Sequence, residues 1–289
     1  MPLITGTTKL LGVIGDPVKH SLSPLMHNRA IEELGLDYIY LPLPVAQGNL
    51  AKAIAGFEAI SLVGFNITIP HKQAIIPYLA EVTPTVHMVG AVNTVWRTEF
   101  GWKGTNTDID GFIAPLQTLN QDWRNITPVI LGNGGAARAV VIGLVELGCP
   151  QIHVVGRNQN KLDKFSQSWQ SNFQISSILQ THLWEKLNTL IPDTKLLVNT
   201  TPVGMSPQIE NSPVDASLMA KLSPGAIAYD LIYTPNPTKF LQLAKEQGAI
   251  AIDGLEMLVQ QGAAALKIWL NQPVPIETMR ESLRVYLNL

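Results

Sequence analysis

The residues best able to do chemistry fall in a glycine-rich turn, the strand end that follows it and four short polar islands. Gly132-Asn133-Gly134-Gly135-Ala136-Ala137-Arg138 comes after the apolar run Val129-Ile130-Leu131 and opens a segment rich in Ala and Val. Glycines there let the backbone turn tightly and approach a pyrophosphate, whose charge is favoured by the free N–H groups and dipole of a helix N-terminus. A packing turn also uses glycines, but the position between a strand and a helix is the one a dinucleotide site requires. The next apolar run, Ile152-His153-Val154-Val155, ends in Gly156-Arg157-Asn158, with Lys161 four residues beyond Arg157. An acidic residue at that strand end would bond the free ribose hydroxyls of NAD and repel a 2′-phosphate. Here Arg157 offers a planar fork to a phosphate, Asn158 an amide donor and Lys161 a second positive charge, so the expected cofactor is NADP. Its expected contacts are Gly132, Asn133, Gly134, Gly135 and Ala136 on the turn, and Arg157, Asn158 and Lys161 at the strand end.

Three islands stand at expected strand ends in the N-terminal part of the chain: His20-Ser21-Leu22-Ser23-Pro24, Asn66-Ile67-Thr68-Ile69-Pro70-His71-Lys72 and Gly90-Ala91-Val92-Asn93-Thr94. The fourth, Gly104-Thr105-Asn106-Thr107-Asp108, stands at an expected domain junction. Each also has an ordinary reading. Ser21 and Ser23 could cap the helix beginning near Pro24, Lys72 could be an exposed lysine at a helix start, and Asp108 could cap a helix before Gly111. Asn66 and Asn93 could serve in turns, Gln261 could lie on a solvated helix face, and Met257 falls at a core spacing. Spacing alone leaves these alternatives open. The six histidines lack a metal-ligand spacing such as HExxH, so no metal is expected.

The elements that must position these residues alternate between short apolar runs and longer segments of helical period, the pattern of parallel sheets with helices on their faces. Leu11 to Gly15, Tyr38 to Leu43 and Leu62 to Ile67 read as strands, with Pro24 to Leu34 and Leu50 to Phe57 as helices between them. Gly111 to Leu119 reads as a connecting helix. Thr127 to Leu131, Gly134 to Leu147 and Gln151 to Val155 then form a second strand, helix, strand unit, continued by strands at Lys195 to Asn199 and Ala226 to Leu231. Thr201 to Pro213 is Pro-rich and reads as loop, Pro235-Asn236-Pro237 as a turn, and the polar stretch Ser166 to Ser177 as a solvated loop or helix face. Leu255 to Leu270 reads as a helix returning to the first domain. The expected organisation is a substrate-binding and catalytic α/β domain over residues 1–108, completed by 255–289, and a Rossmann-like doubly wound domain over 109–254.

A length of 289 residues is enough for two such domains, each with its own core. With 20 basic against 22 acidic residues and a formal charge of -2, the chain has no field to hold a polyanion, so no nucleic-acid partner is expected. Apolar stretches such as Ala139 to Val145 fall far short of the roughly 20 residues that span a bilayer, and no secretory pattern opens the sequence, so a cytoplasmic protein without membrane contact is expected. The single cysteine, Cys149, suits a reducing compartment and reads as a small packing residue.

Taken in order, the islands, the GNGGAAR turn, Asn199-Thr200-Thr201-Pro202-Val203-Gly204-Met205, Tyr229-Asp230-Leu231-Ile232-Tyr233 and Asp253-Gly254-Leu255-Glu256-Met257-Leu258-Val259-Gln260-Gln261 closely resemble shikimate dehydrogenases, from about Gly12 to Trp269. The resemblance implies an active-site cleft between the two α/β domains, with shikimate or 3-dehydroshikimate as substrate and a monomer or homodimer as the working form. It makes Lys72 and Asp108 the catalytic pair. It places the substrate carboxylate against Ser21 and Ser23, with Thr68 and Tyr233 nearby, and the ring hydroxyls against Asn93, Asp108, Gln261 and Lys72. It adds Thr200, Gly254 and Met257 to the cofactor contacts. Reducing a ketone needs a hydride on carbon and a proton on oxygen, so a positioned acid suits the reaction. An ammonium beside a carboxylate gives up its proton less readily, which leaves the owner of the transferred proton open between the two. Asn133 and Gly156 depart from the family's usual Ala and Asn, and His71 reads as packing. A quinate/shikimate dehydrogenase using NAD or NADP and a non-catalytic NADP-binding sensor are the alternatives on the same fold.

Overall fold

The computed structural model describes residues 4–289. The chain forms two compact units, one made of the chain up to Gly111 together with Leu258–Leu289, the other of Phe112–Met257.

The first unit carries six strands, Lys9–Gly15 (β1), Tyr38–Pro44 (β2), Gly64–Ile67 (β3), Glu81–Val82 (β4), Thr94–Thr98 (β5) and Gly101–Thr105 (β6), in the order β2-β1-β3-β5-β6-β4. The parallel pattern covers only part of this sheet, which is mixed. β1 runs parallel to β2 and β3, but β5 is antiparallel to both β3 and β6. The cause is local: β5 and β6 are joined by the two residues Glu99 and Phe100, with Gly101 at φ +122°, and so short a link permits only a hairpin.

One face of this sheet packs Ile54, Phe57, Leu62, Phe65, Val95 and Trp102 into a core. On helix Ser23–Glu33, Met26, Ala30 and Ile31 are buried, as are Met279 and Leu283 on helix Ile276–Leu287. Trp269, near the end of helix Leu255–Leu270, donates its indole N–H to the Val95 carbonyl at 2.9 Å. The space for that indole exists because Gly64 has no side chain. His27 stacks on Tyr40 with ring centroids 4.1 Å apart and donates Nδ1–H to the Ser23 carbonyl at 2.8 Å. Burial holds its imidazole down to about 4, so it is a neutral packing group at physiological pH.

The second unit is wholly parallel. Val129–Leu131 (β7), Ile152–Gly156 (β8), Leu179–Leu183 (β9), Leu196–Asn199 (β10), Ile227–Asp230 (β11) and Ile250–Ile252 (β12) lie in the order β12-β11-β10-β7-β8-β9. Counted within the unit this is 3-2-1-4-5-6 read from the β9 edge, the doubly wound arrangement in which strand order reverses between the first and fourth strands, here β7 and β10. β7, β10 and β11 are buried along their whole length, as continuous apolar runs in a covered parallel sheet require.

Two local expectations need correction. Ser166 to Ser177 is not merely solvated: Trp169 and Ile175 within it are buried, and the Arg138 guanidinium lies 4.3 Å over the Trp169 ring. The connecting helix starts at Asp108 and ends at Gln117 rather than spanning Gly111 to Leu119. Cys149 is buried, and burial pushes its thiol up to about 12. No helix among the described residues is long and apolar enough to cross a membrane.

Gly64→Ala is expected to destabilise the first unit by about 1–3 kcal/mol, the usual cost of overpacking. Its β-carbon would fall 2.2 Å from Trp269 Nε1 and 2.7 Å from the Val95 carbonyl oxygen. Denaturant unfolding would measure the loss; an unchanged midpoint would mean that Trp269 is not held against β3 as the packing requires.

Candidate active site

The antiparallel course of β5 assembles the polar islands of the first unit. Thr94, the first residue of β5, pairs with Asn66 on β3 and with Thr105 on β6. The lead-in Gly90 to Asn93, expected at a strand end, is therefore at a strand start, beside the C-terminal ends of its neighbours. From β3 the chain passes Thr68 into the short helix His71–Ala74, and the Lys72 carbonyl accepts the Val92 N–H at 2.7 Å. From β6 it passes Asn106 and Thr107 into the helix that begins at Asp108.

Lys72 Nζ donates to Asp108 Oδ2 at 2.6 Å, with the two side chains 28% and 12% exposed. Asp108 is not an N-cap, since it is the helix's first residue and its own N–H is accepted by Asn106 Oδ1 at 2.9 Å. Its other carboxylate oxygen takes Asn93 Nδ2 at 2.8 Å. Asn93 also donates to Thr107 Oγ1 at 3.0 Å and approaches Gln261 Oε1 at 3.4 Å, while its Oδ1 accepts the Thr107 N–H at 2.8 Å. Thr107 Oγ1 lies 3.0 Å from the Gln261 carbonyl. Lys72, Asp108, Asn93 and Gln261 thus form one cluster, and Gln261 is half-buried rather than solvated.

A second line of polar groups joins this cluster from β2. Tyr40 donates its phenol proton to Asn66 Oδ1 at 2.7 Å, and Asn66 Nδ2 donates to the Asn93 carbonyl and to Thr94 Oγ1, both at 3.0 Å. The Tyr40 phenol also meets the Ser23 hydroxyl, and burial raises its pKa well above the usual tyrosine range, so it stays protonated. Asn66 is a buried strand residue, not a turn residue. Ser23 lies inside its helix, whose N-cap is Leu22 without a side-chain bond, and Ser21 Oγ accepts the Ser23 N–H at 3.3 Å. Neither serine is a conventional cap.

In the second unit Gly132 adopts φ +102°, and a β-carbon there would lie 2.9 Å from Thr200 Oγ1. Thr200 commits its hydroxyl proton to the Leu131 carbonyl at 2.7 Å, so it holds the turn from the end of β10. Helix Gly135–Glu146 has Gly134 at its N-cap and no side-chain cap. Nothing approaches within 4 Å of the β-carbon positions of Gly134 or Gly135. Both glycines are exposed, so the backbone at the helix N-terminus is open to a pyrophosphate, and the turn fits a dinucleotide. Arg157 is exposed just past β8, Lys161 is exposed, and Asn158 caps helix Gln159–Gln167 by accepting the Lys161 N–H at 3.0 Å. Gly254 is packed backbone to backbone against β11's end: a β-carbon would fall 2.1 Å from the Leu231 carbonyl oxygen. Met257 is half-buried, not core. Tyr233 lies past β11, where burial raises its phenol pKa.

Sequence reading gave no individual role to Tyr40, Thr107, Asn199 or Asp230, although the last three stand in motifs quoted above. Tyr40 looks like any strand tyrosine, and no local pattern marks it. Asp230 is fully buried; its Oδ1 takes Asn199 Nδ2 at 2.9 Å and the Ile232 N–H at 3.1 Å, and its Oδ2 takes Thr238 Oγ1 at 2.7 Å. Asn199 Oδ1 in turn accepts from Thr201 N at 2.9 Å and Oγ1 at 2.7 Å. An acidic residue closing an apolar strand was the available signal.

A doubly wound unit with this glycine turn is the architecture of dinucleotide-binding proteins. The family model described as the shikimate dehydrogenase substrate binding domain matches residues 13–95, and that of the shikimate 5'-dehydrogenase C-terminal domain matches residues 254–284. The shikimate dehydrogenase (NADP(+)) of Gloeothece citriformis is 66% identical over 289 residues, covering 100% of both chains. That of Microcystis aeruginosa is 62% identical over 98% of this chain and 99% of its own. The crystal structure of shikimate 5-dehydrogenase from Thermus thermophilus in complex with NADP(H) and shikimate superposes with a TM-score of 0.84 at 33% identity, covering 96% of this chain and 99% of that one. The chain belongs to the shikimate dehydrogenase family.

Burial pushes the Asp230 carboxyl up to about 6, against the opposing bonds from Thr238, Ile232 and Asn199. The native state holds this proton more tightly than the unfolded chain does. The group's contribution to stability is therefore complete below about pH 4 and is lost as pH rises through about 6. Across that window wild-type stability should fall by about 2–3 kcal/mol more than that of Asp230→Asn, measured by denaturant unfolding at stepped pH. Equal slopes for the two proteins would remove Asp230 as the source.

Proposed function

We propose that this chain catalyses the reversible, NADP-dependent reduction of 3-dehydroshikimate to shikimate. The single observation that carries the reading is the Lys72–Asp108 pair, 2.6 Å apart and partly shielded from water at the meeting of three polar islands. When bound, NADPH supplies the hydride to the carbonyl carbon.

The chain's own side chains do the rest. Lys72 has three N–H donors, of which one is engaged by Asp108, leaving two to receive a substrate oxygen and stabilise the charge that builds on it. Asn93 holds one oxygen of Asp108, so the other stays turned to Lys72 and the pair moves a proton to or from the substrate oxygen as a unit. Both amide protons of Asn93 are already engaged, so it serves the reaction first by fixing Asp108. Ser21, Ser23, Thr68 and Tyr233 are the hydroxyl donors for the substrate carboxylate, and Gln261 for a ring hydroxyl; neutral donors bind both without adding a competing charge beside Lys72. In the second unit Gly132 to Ala136 receive the pyrophosphate, Thr200, Gly254 and Met257 border the nicotinamide side, and Arg157, Asn158 and Lys161 receive the 2′-phosphate.

Reduced-nicotinamide absorbance with shikimate or quinate, each offered with NADP or NAD, tests the reading. Turnover should be fastest with shikimate and NADP, and no turnover of shikimate with either cofactor would reject it. Lys72→Ala is expected to lower kcat by about 10²–10⁴-fold, the usual worth of a positioned acid or base, with a smaller change in shikimate binding. Asp108→Asn should also be slow, and the double variant less impaired than the product of the two losses. More than about half of wild-type kcat in Lys72→Ala would end the assignment. Arg157→Ala should cut kcat/KM for NADP by about 10–100-fold through KM and leave NAD nearly untouched. Equal losses with both cofactors would assign Arg157 to loop structure.

A further inference from the structure

Asn133 is the only side chain on the turn Gly132–Gly134 between β7 and helix Gly135–Glu146, and it leans towards the end of β8. A β-carbon built on Gly156 would lie 3.2 Å from Asn133 Oδ1 and 3.0 Å from Leu162 Cδ2, tighter than ordinary contact. The missing side chain at Gly156 is therefore what allows the Asn133 amide to rest against that strand end. Gly156 is buried, and Arg157, the next residue, is exposed. Among the described residues no hydrogen bond engages the Asn133 amide, although every other amide-bearing side chain of the strand ends described above is engaged: Asn66, Asn93, Asn158 and Asn199 all have partners.

We propose that Asn133 determines cofactor specificity, its amide donating to the 2′-phosphate of NADP beside Arg157. The proposal rests on the NADP reading above and adds a second kind of contact to it. In a doubly wound unit the end of the second strand, here β8, receives the adenosine ribose and whatever its 2′ position carries. Arg157 and Lys161 bring charge there on long exposed side chains, which lose rotamer freedom when they bind. Asn133 is short and half-buried beside Gly156, so it has less rotamer freedom to lose on binding than Arg157 or Lys161. The chemistry at this position is also decisive in sign. An amide donates to a phosphate, whereas the isosteric carboxylate of aspartate only accepts, repels the phosphate and suits two free ribose hydroxyls.

The test is calorimetric titration of NADP+ and NAD+ into the wild-type protein, Asn133→Ala, Asn133→Asp and Gly156→Ala, with thermal unfolding of each. Asn133→Ala should lose about tenfold in NADP+ affinity, the worth of one hydrogen bond to a charged group, with NAD+ changed by less than about twofold. Asn133→Asp should lose about 100-fold for NADP+ and bind NAD+ at least as well as the wild type. Gly156→Ala, which crowds the amide without removing it, should also lose NADP+ selectively, and the Asn133→Ala, Gly156→Ala double variant should bind NADP+ no more weakly than the weaker single variant. Undiminished NADP+ affinity in Asn133→Ala, or equal losses for both cofactors, would overturn the proposal while leaving the NADP reading intact. A wild-type protein without preference for NADP+ would overturn both.

Discussion

The buried side chain of Asn93 is the constraint on which the first unit's site depends. It is 2% exposed and makes bonds through both its amide nitrogen and its oxygen, to Asp108, Thr107 and Thr94. A buried amide left unsatisfied costs about 1–3 kcal/mol, so the loops from β6 and the lead-in to β5 are fixed relative to each other or the unit is destabilised. The same bonds orient the carboxylate of Asp108 and, through it, the ammonium of Lys72. Structure and chemistry are coupled because one side chain serves both.

Around that node the charge is sparse. Lys72 and Asp108 are the ion pair of the cluster, and Tyr40, Asn66, Thr94, Thr107 and Gln261 surround it with neutral groups. An isolated charge in so buried a place would be costly, and a paired one bonded on its remaining oxygen is tolerated. Donor directions in the network follow from one fixed point. The Asn93 carbonyl can only accept, so Asn66 must present its Nδ2 there and its oxygen to Tyr40, which obliges Tyr40 to donate.

The second unit solves the opposite problem. Apart from Asn133, its turn after β7 offers backbone rather than side chains, with Gly134 and Gly135 exposed. The side-chain bonds sit behind that turn: Thr200 on the Leu131 carbonyl, Asn199 on Thr201, and Asp230 on Asn199. A polar scaffold beneath an open glycine backbone suits a large anionic ligand, as a neutral hydrogen-bond network around one ion pair suits a small polyhydroxy ligand.

The sequence by itself determined what is local. Glycine spacing between a strand and a helix, the basic end of β8, the long helix Leu255–Leu270 and the run of polar islands are all set within a few residues of chain, by backbone freedom, periodicity and charge. Four strands of the second sheet, β7, β8, β10 and β11, were readable for the same reason, as apolar runs, whereas β9, which carries Gln180, Thr181 and His182, and the three-residue β12 were not. What the tertiary structure decided are the pairings between distant segments. Asn93 and Gln261 are 168 residues apart in sequence, and Tyr40 and Asn66 are 26 apart. No period or motif records which strand will lie beside which. The antiparallel insertion of β5 reversed the expected place of Asn93, and Gly156 acquired its meaning only when Asn133 was found against it. Hydrogen-bond direction and close packing act across space and not along the chain, so they exist only once the chain has folded.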